Sequence, residues 1–189
     1  LHFDKLDSTN DYAIALVYKC YARNKIGETA ILADTQTDGR GRLNKKVWIS
    51  TLGNFHCSYI INIEELGVRE NQAPLITAAS VSAVRDILIT IAGPDACIRI
   101  TTKLPNDILV NPPPGSDIRF AGGSCGKKVA GILVEVFYPY AIVGVGINLQ
   151  NSPVKMATNI MDEFKIRVKP IELVDNLYKF LIDKISIGS

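Results

Sequence analysis

The 189-residue sequence has few of the residues that build disulfide scaffolds or metal sites. It contains only two histidines and four isolated cysteines, with no Cys-x-x-Cys pair: Cys20, Cys57, Cys97 and Cys125. A chain of this length can bury its own core and does not need disulfides. No pair of candidate ligands has the spacing of a zinc site. We therefore expect free thiols, no structural zinc and a reducing compartment.

An excess of charge and a long apolar run are also lacking. Lysine and arginine total 21 against 19 acidic residues, a net charge of +2, and 47% of residues are hydrophobic. This balance excludes intrinsic disorder and attachment to nucleic acid by charge alone. The longest uncharged stretch, 136–154, is long enough to span a membrane but contains two prolines and three side-chain amides. We expect no nucleic-acid partner, no membrane association, no secretory signal and a cytoplasmic location, although the sequence does not exclude an organelle.

The length predicts a single domain over residues 1–189, and hydrophobic periodicity predicts three helices in it. The first, 8–23, opens with a capping-box-like start at Ser8 and Asp11. The second, 71–92, is apolar and ends before Gly93. The third, 170–186, begins at a proline and carries an apolar stripe formed by Leu173, Leu177, Leu181 and Ile185.

Runs of β-branched residues predict strands between these helices. One run, 98–110, contains Pro105, which lacks an amide donor, so we expect two strand pieces bent there. The segment 111–126 is rich in proline and glycine and is expected to be a surface excursion. Strand pairs in hairpin order mixed with helices predict an α+β fold, with one sheet and helices packed on it. The other predicted strands are 29–36, 54–63, 129–137 and 141–149.

The segment from Gly39 to Lys46 departs from the neutral average, because four of its eight residues are basic. Two glycines allow the backbone to approach a ligand closely, and arginine presents a planar fork of donors to carboxylate or phosphate oxygens. Trp48, the only tryptophan, offers an aromatic face. The pattern is typical of a loop that orders around an anion, and a solvated basic loop is the alternative that composition alone leaves open.

Five segments, taken in order, resemble the catalytic domain of biotin–protein ligases, which include biotin–acetyl-CoA-carboxylase ligase and holocarboxylase synthetase. The resemblance extends over essentially the whole chain. The segments are Ser8-Thr9-Asn10, Gln36-x-x-Gly39-Arg40-Gly41-Arg42, Lys103-x-Pro105-Asn106-Asp107, Lys128-Val129-Ala130-Gly131-Ile132-Leu133-Val134-Glu135 and Gly144-Val145-Gly146-Ile147-Asn148.

The resemblance implies a mixed, largely antiparallel sheet flanked by helices, like that of class II aminoacyl-tRNA synthetases. It implies an enzyme that uses MgATP to activate biotin as biotinyl-5′-AMP, with release of pyrophosphate. Biotin then passes to a lysine in the biotin-carrier domain of a carboxylase. No permanently bound cofactor is implied.

The same resemblance assigns residues to each part of this chemistry. Arg42 and Lys128, rather than Lys127, would act catalytically on the carboxylate and the α-phosphate. Asp107 would at most assist Mg²⁺, which the phosphates mainly hold. Ile132 and Leu133 would form an apolar wall for biotin, and the glycines at 131, 144 and 146 would leave room for its ring and chain. Expected biotin-binding residues are Ser8, Thr9, Asn10, Gln36, Gly39, Arg40, Lys128, Gly131, Ile132, Leu133, Gly144 and Gly146. Expected ATP-binding residues are Arg40, Arg42, Trp48, Lys103, Asn106, Asp107 and Asn148.

The sequence departs from the family pattern in several places. The basic loop is one residue longer, with Lys45 and Lys46 in place of a glycine-containing stretch, and Leu104 replaces the usual tryptophan. We expect no helix-turn-helix domain before this domain, and a C-terminal β-barrel that is absent or not included. A homodimer is possible in this family. The alternatives are a lipoate ligase or octanoyl transferase of the same fold, and a non-catalytic biotin-binding module.

Overall fold

The computed structural model describes residues 1–21, 26–41, 47–112, 114 and 126–187. Within them, seven strands form one sheet in the order β1-β2-β3-β7-β6-β5-β4. Edge strand β1 runs parallel to β2, and every other neighbouring pair is antiparallel. The strands are β1 (His2–Leu6), β2 (Thr29–Gln36), β3 (Phe55–Asn62), β4 (Ile100–Lys103), β5 (Asp107–Val110), β6 (Lys127–Phe137) and β7 (Tyr140–Ile147).

Helices cover both faces of this sheet. On one face α2 and α4 pack over a large core, and on the other α1 packs over a smaller one. The predicted α+β class, with a mixed and largely antiparallel sheet flanked by helices, is confirmed. The helices are α1 (Thr9–Tyr21), α2 (Ala73–Ala92), α3 (Ile160–Phe164) and α4 (Pro170–Ile187), with 3-10 turns at Glu70–Gln72 and Pro94–Ile98.

Strand alternation divides each central strand between the two faces. In β7, Val143, Val145 and Ile147 point into the core under α2 and α4. Tyr140 and Ile142 point to the opposite face and pack under α1. Helix α1 begins at residue 9. It therefore leaves the face of the sheet uncovered on the side of its N-terminus, where β7 continues towards residue 146. This uncovered part of the sheet is the floor of the candidate site.

Helix α2 is long and apolar enough, by length and composition alone, to cross a membrane over Pro74–Ala92. Its buried side chains, which include Ile76, Val84 and Leu88, belong to the core on the sheet. Arg85 and Asp86 on its outer side form ion pairs. Part of the apolar surface of α2 is therefore buried between α4 and the sheet.

The ends of the predicted elements need several corrections. The segment 98–110 forms the two expected strand pieces, β4 and β5, but the chain reverses at Pro105 instead of bending, because the two pieces pair antiparallel as a hairpin. Strand β1 and the five-residue helix α3 were not expected. Residues 22–23 of the first predicted helix, and residues 113 and 115–125 of the expected surface excursion, lie outside the described residues. The stripe on α4 is confirmed, since all four of its residues are buried.

Candidate active site

A lane of small residues crosses the uncovered face of the sheet. Gly146 lies opposite Gly131 on β6 and His56 on β3, and the adjacent row places Gly144 opposite Ser58 and Leu133. Side chains larger than hydrogen at 144 and 146 would meet the carboxamide of Asn10 and the indole of Trp48. The glycines therefore let α1 and the residues after 46 approach the sheet closely.

A cavity of about 340 Å³ opens above this lane, beneath the N-terminus of α1. It brings together segments that lie far apart in the sequence. Its walls come from α1, the ends of β2, β5, β6 and β7, and the stem of the basic loop. The lining residues are Ser8, Thr9, Asn10, Gln36, Arg40, Gly41, Val47, Trp48, Asn106, Asp107, Lys128, Gly131, Ile132, Leu133, Gly144, Val145 and Gly146.

The inner end of this first cavity is polar and tightly hydrogen-bonded. Gln36 Oε1 accepts the amide N–H of Thr9 at 2.7 Å and lies 3.0 Å from its hydroxyl. Buried Ser58 Oγ lies 2.8 Å from Thr9 Oγ1 and donates to Asn10 Oδ1 at 2.5 Å. Because these bonds use the oxygen of Gln36, its Nε2 group is left as a donor with no hydrogen-bond partner among the described residues.

Only one of the two interactions of the predicted capping box is formed at the first turn of α1. Ser8 Oγ accepts the amide N–H of Asp11 at 3.3 Å, which is an N-cap bond. The carboxylate of Asp11 does not return to Ser8, as a capping box requires, but pairs with Arg40 at 2.9 Å. Ser8 therefore caps the helix and still has a hydroxyl hydrogen to donate into the cavity.

Arg40 lies in a cluster of carboxylates rather than in open solvent. Its Nη1 and Nη2 atoms donate to the two oxygens of Glu135 at 3.1 and 2.6 Å, and Nη2 also contacts Asp11. Its Nε is buried and has no hydrogen-bond partner among the described residues. The backbone of Arg40 forms an antiparallel bridge with Val47, and Gly39 O accepts the amide N–H of Trp48 at 2.7 Å. The two stems of the basic loop are thus held together.

The indole of Trp48 lies across the glycine lane. A Cβ at position 146 would be 2.5 Å from the ring and one at position 131 would be 3.2 Å from it. The Nζ atom of Lys128 is 5.4 Å from the ring centroid, which is a cation–π distance. The indole N–H is buried and has no partner among the described residues. Trp48 therefore forms a wall that presents an unused donor.

On the other side of Trp48 lies a second cavity of about 300 Å³. Asn148, only 2% exposed, lines it. Its Nδ2 donates to Thr158 O at 3.1 Å, whereas its Oδ1 has no partner in the described part of the chain. A buried acceptor without a donor is unfavourable, so this oxygen is suited to receive an N–H from a ligand. The cavity is lined by Val47, Trp48, Ile49, Lys103, Asp107, Leu109, Gly126, Lys128, Asn148, Pro153, Val154, Met156 and Ala157.

Lys128 and Asp107 lie where the two cavities meet, and both line each cavity. Lys128 Nζ is 2.6 Å from Asp107 Oδ1. The Lys128 side chain is about one-third exposed, at 35%, and lines both cavities, so its ammonium can reach a ligand in either one. An anion placed at this junction would compete with Asp107 for the ammonium group.

The structure brings most of the predicted site residues together. Gly39 does not line either cavity and acts through its carbonyl oxygen on Trp48. Asn106 lies at the first cavity rather than beside Asn148, and its Nδ2 donates to Ile132 O at 2.8 Å. Lys103 is exposed at the second cavity. Arg42, Lys45 and Lys46 lie outside the described residues, and Leu104 is 75% exposed in the β4–β5 turn.

One predicted apolar wall residue contributes differently. The side chain of Leu133 points to the cavity side of β6, but that of Ile132 points to the opposite face and is buried in the main core. Adjacent residues of a strand point to opposite faces, so the two side chains cannot both line one cavity. Ile132 lines the cavity through its backbone.

Four residues to which the resemblance assigns no role organise the site. Ser58 and Glu135 hold Asn10, and Asn54 Oδ1 accepts three successive amides, those of 149, 150 and 151, within 3.1 Å. Period-two alternation could have placed Ser58 on the floor, but the partners of Asn54 follow only from the folded loop. Asn54 fixes the segment that carries Asn148.

The fourth of these residues, His56, is buried beneath Gln36. Its ring nitrogens are 3.2 and 3.3 Å from Ser50 Oγ, which accepts the amide N–H of Gln36 at 2.8 Å. Burial lowers the pKa of His56 from 6.5 to about 4, despite hydrogen bonds to the backbone of Ala33 and Asp34 and the charge of Asp34. His56 is therefore neutral at pH 7, and its unprotonated ring nitrogen can accept a hydrogen bond from the Ser50 hydroxyl.

Burial also determines the state of Cys57. It raises the pKa of this thiol to about 12, against weaker opposing hydrogen bonds. The thiol is protonated and inert at neutral pH. Among the described cysteines, Cys20, Cys57 and Cys97 are free, as expected, and Cys125 lies outside the described residues.

Comparison with known sequences matches residues 3–150 to the biotin/lipoate A/B protein ligase family. A biotin–[acetyl-CoA-carboxylase] ligase of Paracoccus denitrificans is 31% identical over 79% of this chain and 54% of its own length. The bifunctional ligase/repressor BirA of Bacillus subtilis is 32% identical over 81% of this chain and 41% of its own length. The chain thus spans about half the length of these relatives.

Solved structures share the fold. The biotin protein ligase of Leishmania major in complex with biotinyl-5-AMP superposes with a TM-score of 0.77 and 24% identity, covering 98% of this chain and 74% of that one. The ligase of Aquifex aeolicus with biotin and ATP gives 0.61 and 24%, over 100% of this chain and 68% of that one. The expected resemblance to the class II aminoacyl-tRNA synthetase fold is confirmed. The chain belongs to the biotin/lipoate A/B protein ligase family.

Proposed function

We propose that this chain is the catalytic domain of an ATP-dependent biotin–protein ligase. It forms biotinyl-5′-AMP from biotin and MgATP, releases pyrophosphate, and transfers biotin to a lysine of a biotin-carrier domain. The observation that carries the proposal is the pair of adjoining cavities, one with a polar inner end and one with an unpaired buried acceptor, which share Lys128 and Asp107. Two substrates bound in them would place their reacting groups at that junction.

The first cavity is suited to biotin because its inner end offers donors and acceptors to a neutral head group. Ser8 has a hydroxyl hydrogen and Gln36 an Nε2 group to donate, and Asn10 Oδ1 retains a lone pair. A ureido group presents two N–H donors and one carbonyl acceptor and complements this set. An octanoyl or lipoyl tail would leave these buried polar groups unpaired, so the site favours biotin over those acyl groups.

The second cavity is suited to the nucleotide. Asn148 Oδ1 would accept an N–H of the adenine amino group, and the indole of Trp48 offers a face to the purine. Lys103 at its rim supplies positive charge for phosphates. Magnesium would enter with ATP, because the described residues contain no cluster of three or more acidic, His or Cys ligands. Asp107 would be at most one ligand beside phosphate oxygens and water.

The chemistry follows from the charges. A carboxylate oxygen of biotin attacks the α-phosphorus of ATP, a phosphoanhydride bond breaks and pyrophosphate leaves. Two anions must approach, so the barrier falls when a fixed cation lies between them. Lys128, which lines both cavities, would take that position, and the resemblance gives Arg42 the same role. The lysine amine of the acceptor then attacks the acyl carbonyl, and AMP leaves.

The remaining features of the proposal concern the whole protein. The acceptor is a carrier domain of a biotin-dependent carboxylase, by analogy with the related biotin–[acetyl-CoA-carboxylase] ligase of Paracoccus denitrificans. We also propose that the protein is cytoplasmic and forms a homodimer.

The test is to incubate the chain with biotin, MgATP and a biotin-carrier domain. We expect biotin-dependent pyrophosphate release and one biotin added to a single lysine, detected by intact-protein and peptide mass spectrometry. Faster modification with lipoate or octanoate would identify the enzyme as the other branch of the family. Biotin binding without pyrophosphate release would identify a non-catalytic module. Arg42→Ala should reduce adenylate formation by about 10²-fold, the scale expected for a preorganised charge donor.

A further inference from the structure

Glu135 is not among the residues that motif or resemblance assigns to substrate binding, yet it joins two parts of the site. It lies on β6 with a side chain 24% exposed. Its Oε2 accepts from Asn10 Nδ2 at 2.9 Å, at the polar end of the first cavity. Both of its carboxylate oxygens accept from Arg40 in a bidentate pair. Asn10 and Arg40 are therefore oriented by the same carboxylate.

The charges around Arg40 indicate what that residue does. One guanidinium lies against two carboxylates, Glu135 at 2.6 Å and Asp11 at 2.9 Å, so the cluster has a net charge of −1. Its Nη atoms point to these carboxylates, and its Nε is buried with no partner in the part of the chain that the structure describes. An arginine held in this way has no open fork to offer a substrate carboxylate or phosphate.

The backbone of Arg40 extends the connection to Trp48. Arg40 bridges Val47, and Gly39 O accepts the amide N–H of Trp48 at 2.7 Å. The Trp48 indole separates the first cavity from the second. A continuous set of contacts thus runs from Asn10 through Glu135 and Arg40 to that wall.

We propose that Glu135 is a positioning residue that couples the polar end of the first cavity to the Trp48 wall, and that Arg40 serves this coupling and does not bind the substrate anion. The substrate part of this inference rests on the proposed function. Loss of the Glu135 charge should release both Asn10 and the stem that carries Trp48.

The experiment compares E135Q with D86N. Asp86 is a matched control, because its carboxylate also lies near two cations, Arg85 and Lys184, has a similar exposure of 30% and is remote from both cavities. Trp48 is the only tryptophan, so acrylamide quenching of its fluorescence reports the wall directly. We expect E135Q to increase this quenching. Because it removes charge-assisted hydrogen bonds, it should also weaken biotin binding about tenfold. We expect kcat to change by less than about threefold. D86N should match the wild type in all three measurements.

A double-mutant cycle with R40Q tests the route. If Glu135 acts on Trp48 through Arg40, adding E135Q to the R40Q variant should change acrylamide quenching by less than about twice the experimental error. The effects of the two single substitutions are then not additive. If E135Q does not fold, R40K, which keeps the charge and loses the fork, should increase quenching in its place. Wild-type quenching and biotin binding in the folded variants, or additive effects in the cycle, would overturn the proposal. If the wild type binds no biotin, the proposed function fails, whereas the quenching comparison still decides the coupling.

Discussion

Replacement of Lys128 by methionine tests the proposed chemistry most directly. The Lys128 ammonium and Asp107 carboxylate form a neutral pair at the junction of the cavities, with Nζ and Oδ1 2.6 Å apart. K128M removes the positive charge but leaves the carboxylate, so the junction changes from net zero to −1. Methionine is one atom shorter but keeps most of the apolar stem of the side chain, so packing against Trp48 and Gly131 is largely preserved.

The size of the effect follows from Coulomb's law. A unit charge about 4 Å from a phosphate oxygen contributes about 4 kcal/mol at an effective dielectric constant of about 20. Because 35% of the Lys128 side chain is exposed, solvent screening reduces this value to about 3 kcal/mol. A difference of that size corresponds to about a 10²-fold fall in kcat/KM for adenylate formation.

The assay is biotin- and MgATP-dependent pyrophosphate release, with thermal unfolding to show that each variant is folded. The matched control is K127M, because Lys127 is the preceding residue on β6 and lines neither cavity; it should stay within about threefold of the wild type. D107N in the K128M background should recover part of the loss, since it removes the uncompensated negative charge. Near-normal pyrophosphate release by K128M, or an equal loss in K127M, would refute the reasoning.

Three further predictions concern other parts of the site. N148S should raise KM for ATP about tenfold and leave KM for biotin unchanged, because it removes the unpaired acceptor of the second cavity; steady-state kinetics with each substrate varied measures this. G144A should weaken biotin binding more than about tenfold in calorimetric titration, since a Cβ at 144 would overlap the Asn10 carboxamide; equal affinity would contradict the close approach. The third prediction concerns pH. Because folding lowers the pKa of His56 to about 4, the unfolded chain binds a proton at this imidazole more readily than the folded chain does. His56 therefore contributes stability above pH 6.5 that is lost as the pH falls from 6.5 to 4. The loss is about 3 kcal/mol, and urea unfolding of the wild type should show it while H56Q lacks that component.

The central sheet is the part of the fold that the sequence predicts best. Strand β2 is a run of β-branched and apolar residues with the predicted bounds, and β6 and β7 flank a Tyr-Pro-Tyr turn. Each of these strands has buried residues in the core, so hydrophobicity and period indicate its position. Edge strand β1 is different, because Asp4 and Lys5 are exposed and its pairing with β2 is set by a partner about 30 residues away.

Helix α3 shows a second limit of sequence reasoning. It has only five residues, too few to display an amphipathic period, and it depends on the N-cap Asn159, whose side chain accepts the amide of Asp162. The reversal at Pro105 shows the same limit. A proline predicts interrupted pairing, but whether the chain bends or turns back depends on β6, which pairs with β5.

The sequence predicts which residues belong to the candidate site better than it predicts their contacts with one another. The motifs supply most residues of the two cavities, because their order along the chain restricts the fold. They do not reveal that Arg40 is held by Glu135 and Asp11, since those bonds join residues 95 and 29 positions away. Strand alternation places Ile132 and Leu133 on opposite faces, so this part could have been predicted from period alone.

The alternation within β7 has a consequence for how this strand can change in evolution. Val143, Val145 and Ile147 face the main core, whereas Gly144 and Gly146 face the cavity. Truncation at the odd positions should lower the free energy of unfolding, and enlargement at the even positions should act on ligand binding. Stability and substrate choice therefore depend on alternate residues of one short strand. Substitutions along β7 can change either property with little effect on the other.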